Sequence, residues 1–203
     1  FVESFRFDEQ RLQNYFSEYI VFGRRFAEYL IDTTAARLDI LNAVVHDMSA
    51  LREVFAWQVD DLMDGITYGV GDTHNRGRSV CVLETKNAKK VVWKPRSLEV
   101  DVKLAEFLSF LSDLGLEKLK TPITMNRDRY GWQEYVTNKP CPHVEDFHRY
   151  YRRLGRWLCI AYVFGTTDLH YENIVAVGDH PIPIDLETLF HPRLKESQWN
   201  TSV

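Results

Sequence analysis

Between about residues 8 and 64 apolar side chains recur at intervals of three and four. Tyr19, Phe22, Phe26 and Leu30 form one such set, Leu38, Leu41, Val45 and Met48 a second, and Leu51, Phe55 and Leu62 a third. That period places each set on one side of a helix. Gly65 and the glycines after it close the region. The pattern predicts three helices packed as one unit over residues 1–65, a brace for the remainder of the chain.

From residue 66 the period changes. "RSVCVLET" and "KKVVWKP" are β-branched runs joined by "KNA", which predicts a hairpin. "SLEVDVKLAEFLSFLSDLG" reads as a helix from an N-cap at Ser97 to a stop near Gly115. Short strands come next, at 122–126 and 130–136. The plainest helix spans 144–164, with Phe147, Tyr151, Leu154, Leu158 and Ala161 on one face and Arg149, Arg152, Arg153 and Arg156 on the other. The arginine face reads as solvated, with contact to a phosphate or an acidic peptide as the alternative. After Gly165 come a polar loop, a strand "NIVAV", a turn at "GDHP" and a strand "IPID". The class is therefore α+β. The order of parts over 66–203 (glycine loop, hairpin ending in a lysine, helix, strands, helix, polar loop, hairpin) is the two-lobed plan of kinases.

Composition narrows the function. The chain of 203 residues is 45% hydrophobic and 27% charged, which are globular values. A net charge of −4 and a pI near 6.0 exclude a basic nucleic-acid footprint. No apolar run approaches the ~18 residues of a membrane span. Cys81, Cys141 and Cys159 form no C-x-x-C pair and no zinc spacing, and read as reduced thiols, which favours a cytoplasmic setting. The chain opens on "FVESFRF", with neither Met nor a signal segment, and stops at "WNTSV". Both ends read as cuts through something longer, with the second lobe incomplete.

The chemistry is concentrated in "TTDLHYENIVAVGDHPIPIDLETLF", residues 166–190. So many ionisable groups among Ile, Val and Leu would be costly to bury unpaired. A divalent metal and a phosphate account for them. Phosphoryl transfer needs Mg2+ on carboxylate and amide oxygens, a cation on the nucleotide phosphates, and a base for the attacking hydroxyl. Asp168 and Asn173 have the D-x-x-x-x-N spacing of a kinase catalytic loop, and Asp185 ends a strand where its carboxylate emerges. Glu187 falls on the same side of the extended chain. His170 stabilises the transferring phosphate or handles a proton; its bland alternative is a loop histidine bonded to backbone.

Lys94, at the end of "VVWKP", is the candidate for the ATP phosphates, and Arg96 adds a second cation. Glu106 is the lysine's carboxylate partner by position, an ordinary surface Glu being the alternative. In "GVGDTHNRGRSV" the glycines let backbone N–H groups approach phosphate, and Asp72 and His74 sit at the tip. "RYGWQEYVT" takes the place of a kinase hinge, with Gln133 and Glu134 beside adenine, unless it is simply a core strand.

Taken together, "GDTHNRGRSV", "VVWKPRSL", "RYGWQEYV", "TDLHYENIVA" and "IPIDLETLF" resemble, in order, the dehydratase domain of class II lanthipeptide synthetases, the LanM type. The resemblance covers roughly residues 40–192. It implies a fold related to lipid kinases and a two-step reaction on a ribosomal precursor peptide. ATP and Mg2+ phosphorylate Ser and Thr, and phosphate is then eliminated to leave dehydroalanine and dehydrobutyrine. It further implies that Lys94 binds ATP, that Asp168 and His170 serve transfer, and that Asn173 and Asp185 hold Mg2+ with Glu187 in support. Asp72 and His74 lie over the phosphates. A zinc cyclase domain is expected elsewhere in the parent protein. In this family the Arg and Thr credited with elimination lie downstream of the D-L-E-T segment, beyond the last residue here. The expectation is that this segment phosphorylates without eliminating or cyclising. Two other readings stand beside it: a small-molecule phosphotransferase of the aminoglycoside or choline kinase type, which also uses D-L-H-x-x-N, and a kinase-like module that binds without turnover.

Overall fold

The computed structural model describes residues 9–70, 73–74 and 77–190. Its elements are α1 (Glu9–Glu18), α2 (Ile20–Val54), β1 (Met63–Thr67), β2 (Thr73–His74), β3 (Arg78–Ser79), β4 (Cys81–Thr85), β5 (Lys90–Lys94), α3 (Glu99–Asp113), β6 (Thr124–Arg127), β7 (Tyr130–Glu134), α4 (Val144–Phe164), β8 (Ile174–Val177) and β9 (His180–Pro183). A short 3-10 turn, Tyr171–Asn173, precedes β8.

The N-terminal region differs from the three-helix expectation. The chain breaks at Tyr19 (φ −109°, ψ 61°), where Phe16 stacks on Phe22 and Phe26 with centroids 6.3 and 6.1 Å away. From there α2 runs uninterrupted for 35 residues. The face read as buried, Leu38, Leu41 and Val45, is exposed; the buried stripe is Ala36, Ile40, Ala43, Val44, Asp47 and Leu51. That stripe packs against a sheet rather than against sister helices. Leu62 comes after a turn, and β1 begins beside it.

Five strands form one antiparallel sheet in the order β1-β4-β5-β7-β6. The predicted β4–β5 hairpin is present, pairing Cys81 with Trp93 and Glu84 with Lys90. Alternation along β5 sends Val91 and Trp93 to the α2 side, where they meet Ile40, Leu51, Trp57, Leu83 and Trp132 in one core. Burying each large apolar side chain contributes about 1.5–3 kcal/mol. A second core joins Leu104 and Leu108 of α3, Trp157 of α4, and Leu186 and Leu189. Helix α3 opens with its Leu98 N–H bonded to Asn126 Oδ1 and the Glu99 N–H on Ser97 Oγ. Helix α4 ends where expected, on Gly165 at φ 71°, a left-handed cap that favours glycine.

Close approach demands glycine at 131. It pairs with Lys94 across the β5–β7 ladder, and a Cβ there would lie 2.5 Å from Leu98 Cδ1. The pairing sets the end of β5 against the start of α3.

Charged groups pin the elements together. The buried Asp47 of α2 accepts from Arg127 Nε (2.8 Å), Tyr130 Oη (2.8 Å) and Trp132 Nε1 (2.7 Å). Asp61 accepts from Lys89 Nζ (2.7 Å), Asn87 Nδ2 (2.8 Å) and the Gln58 N–H (2.6 Å). The arginines of α4 are not a plain solvated face. Arg149 and Arg153 meet Asp179, each at 2.7 Å, and Arg152, Arg153 and Arg156 converge on Glu117.

These contacts predict the response to acid. Hydrogen bonds from Lys89, Asn87 and Gln58 hold Asp61 down to about 2. Those from Arg153 and Arg149 hold Asp179 far below the carboxylate range. Burial alone would raise Asp47, but the bonds from Trp132, Tyr130 and Arg127 outweigh it and leave it lowered. Depressed carboxylates contribute stability above their unfolded value, near 3.9, and lose it as pH falls towards the folded value. The midpoint of thermal unfolding should therefore drop steeply below about pH 4, and Asp61→Asn should flatten that part of a calorimetric pH series.

Candidate active site

Lys94 lies on the sheet face away from the α2 core and is 6% exposed. Its ammonium donates to the carbonyl of Ile184 at 2.5 Å. Burial pulls its pKa below the usual lysine value; Asp185, Asp101 and Glu187 oppose the shift, and Arg96 adds to it. The Ile184 N–H in turn donates to the carbonyl of Asn173 at 2.9 Å. One residue's backbone thus ties the end of β5 to the β8–β9 hairpin, whose two ends carry the polar loop and the segment with Asp185.

In the polar loop, Asn173 Nδ2 donates to the Asp168 carbonyl (3.0 Å) and to Asp168 Oδ2 (3.3 Å). His170 Nδ1 accepts the Glu172 N–H at 3.3 Å, so the proton belongs on Nε2, which lies 3.1 Å from Asp168 Oδ1. The Asp168 carboxylate is therefore oriented on both oxygens while its side chain stays 44% exposed. That combination suits a base that must meet an external hydroxyl.

Arg96 holds the other carboxylates. Its Nη2 is 3.0 Å from Asp185 Oδ1, its Nε 3.7 Å from Glu187 Oε2, and its Nη1 3.2 Å from Asp101 Oδ2. Asp185 and Glu187 thus face one guanidinium. Among the described residues no group of three His, Cys, Asp or Glu side chains forms a metal cluster. The expected donors are two carboxylates and an amide, a set suited to a hard cation that keeps water ligands.

Other expected residues are placed differently. Glu106 is exposed and pairs with Lys103 at 2.9 Å, not with Lys94. The acid of α3 that reaches the site is Asp101, 3% exposed, which also accepts from Gln133 Nε2 at 3.2 Å. It was legible: Asp101 shares the helical stripe of Leu104 and Leu108, whereas Glu106 lies off it. Gln133 is flanked by strands on both sides, opposite Val92 and Thr124, and the Glu134 N–H is bonded to the Ile123 carbonyl at 2.8 Å. These two residues use their backbone within the sheet. Asp72 lies outside the described residues; for His74 the backbone alone is described, paired with Arg78. A cavity of about 900 Å³, lined by His46, Arg78, Trp93 and Arg127 among others, opens against α2 and not at this site.

Comparison with known proteins places the chain. It belongs to the family described as domain of unknown function DUF4135, whose model matches residues 19–203. It is 30% identical over 205 residues to the lacticin 481/lactococcin biosynthesis protein LcnDR2 of Lactococcus lactis subsp. lactis. That match covers 90% of this chain and 22% of the relative, so the chain spans about a fifth of the relative's length. The two matches bear out the resemblance to lanthipeptide synthetases of the LanM type. Among the described residues no helix is long and apolar enough to cross a membrane.

Proposed function

We propose that this chain carries the phosphoryl-transfer site of a lanthipeptide synthetase dehydratase domain, on a fold related to lipid kinases. Its substrate would be a ribosomal precursor peptide whose Ser and Thr hydroxyls are phosphorylated with ATP before phosphate is eliminated. The observation that carries the reading is the Ile184 junction, where Lys94, the Asp168–Asn173 loop and the Asp185 segment meet through two hydrogen bonds. The naming of LcnDR2 for lacticin 481 and lactococcin biosynthesis supports the substrate class.

Asn173, Asp185 and Glu187 would hold Mg2+, which when bound neutralises phosphate charge. Lys94 and Arg96 would bind the nucleotide phosphates. The Asp168 carboxylate, oriented by Asn173 and His170, takes the hydroxyl proton as the Ser or Thr oxygen bonds to the γ-phosphorus. The bond from that phosphorus to the bridging oxygen breaks, and ADP leaves. In the parent protein a cyclase domain would add Cys thiols to the dehydrated residues.

An acceptor competition tests this reading. The chain is incubated with Mg2+, γ-labelled ATP, and equal concentrations of a Ser/Thr precursor peptide, an amino sugar and choline. The label should appear on the peptide. Label on the amino sugar or choline would assign the site to small-molecule phosphotransfer instead.

A further inference from the structure

Arg96 is bound asymmetrically. Its Nη1 end is anchored on the Ser97 carbonyl (3.1 Å), at the surface, and on the buried Asp101, itself fixed by the buried Gln133. Its Nη2 and Nε end faces Asp185 and Glu187, whose side chains are 35% and 41% exposed. The Asp101 partner is buried, and the Asp185 and Glu187 partners are open to solvent. Lys94 also feels the charge of Asp185 and Glu187, but its ammonium hydrogen-bonds the Ile184 carbonyl, whereas Arg96 makes the ion pairs with both carboxylates.

We infer that Arg96 is the site's own counter-cation: it neutralises Asp185 and Glu187, and a divalent cation taking those carboxylates displaces the guanidinium towards the nucleotide phosphates, with Asp101 as the hinge. The two cations repel each other on shared oxygens, so both cannot be held there at full strength. A planar guanidinium with one edge fixed can turn the other from carboxylate to phosphate, since both match its fork. Asp101 is then a positioning residue. It takes the place beside the site that the sequence suggested for Glu106. Metal and nucleotide become coupled, because the metal frees the arginine that the phosphates need. This inference rests on the metal reading above and extends it.

The test is Mn2+ binding measured by electron paramagnetic resonance, without nucleotide, on the wild-type chain, Arg96→Gln, Arg96→Lys and Asp185→Asn. Binding of a non-hydrolysable ATP analogue with Mg2+ is measured in parallel. Arg96→Gln should bind Mn2+ on the order of tenfold more tightly and the analogue on the order of tenfold more weakly. Arg96→Lys keeps the charge but loses the fork, and should also tighten Mn2+, by less. Mn2+ affinity unchanged in Arg96→Gln, or Arg96→Lys equal to wild type, overturns the exchange. So does an unchanged analogue affinity in Arg96→Gln. Loss of Mn2+ in Asp185→Asn together with any of those results leaves the metal reading standing and removes only the role of Arg96. Wild-type Mn2+ binding in Asp185→Asn removes both.

Discussion

Asp47→Ala should lower the unfolding free energy by roughly 3–5 kcal/mol, because it strands three side-chain donors at about 1–3 kcal/mol for each that stays buried. Three donors on the β6–β7 hairpin, Arg127 Nε, Tyr130 Oη and Trp132 Nε1, end on this one carboxylate, and none of the three side chains has another described acceptor. Trp132 is fully buried, so its stranded N–H costs about 1–3 kcal/mol by itself. Asp47→Asn keeps one acceptor oxygen and should lose less. Chemical denaturation measures both variants, and a loss below about 1 kcal/mol for alanine would mean that water replaces the carboxylate. The same hairpin carries Gln133, which holds Asp101, so loosening it should also weaken nucleotide binding.

Asp168→Asn should do the reverse. Its side chain is half exposed and packs no core, so stability should stay within about 0.5 kcal/mol of wild type. Transfer to the peptide should fall by about 10²–10⁴-fold, the usual contribution of a positioned base. ATP affinity should change by less than about threefold, because the lost group acts on the acceptor hydroxyl and not on the nucleotide. Equal loss of binding and transfer would move Asp168 from the base role to nucleotide binding.

The two variants also show how far the sequence alone is legible. Where a motif is local, the reading and the structure agree: the β4–β5 hairpin and helix α4 with its Gly165 stop. The three side chains of the D-x-H-x-x-N loop bond to one another within six residues. Where a partner is distant, periodicity alone misleads. The apolar set Leu38, Leu41 and Val45 has helical spacing yet faces solvent, because a second stripe on α2 is the one the sheet covers. The two residues that motif reading passes over are acids on a buried stripe, Asp47 beside Ala43, Val44 and Leu51, and Asp101 beside Leu104 and Leu108. A carboxylate at a core position announces an unseen donor. The donors themselves, Arg127, Tyr130 and Trp132 in one case and Arg96 and Gln133 in the other, lie on or beside strands whose register no local pattern fixes. At the Ile184 junction, the bond to Asn173 follows from the predicted hairpin, but the bond from Lys94 is illegible for the same reason, since it forms only when β5 and the Asp185 segment are folded together.

The central claim is that Lys94, Asp168, Asn173 and Asp185 form one phosphoryl-transfer site acting on peptide. Its most direct test is intact-mass spectrometry of a Ser/Thr-rich lanthipeptide precursor after incubation with the chain, ATP and Mg2+, beside the Asp168→Asn variant. The wild-type chain should leave the peptide heavier by phosphate, and the variant should leave it unchanged. A precursor that stays at its starting mass with the folded wild-type chain would contradict the account.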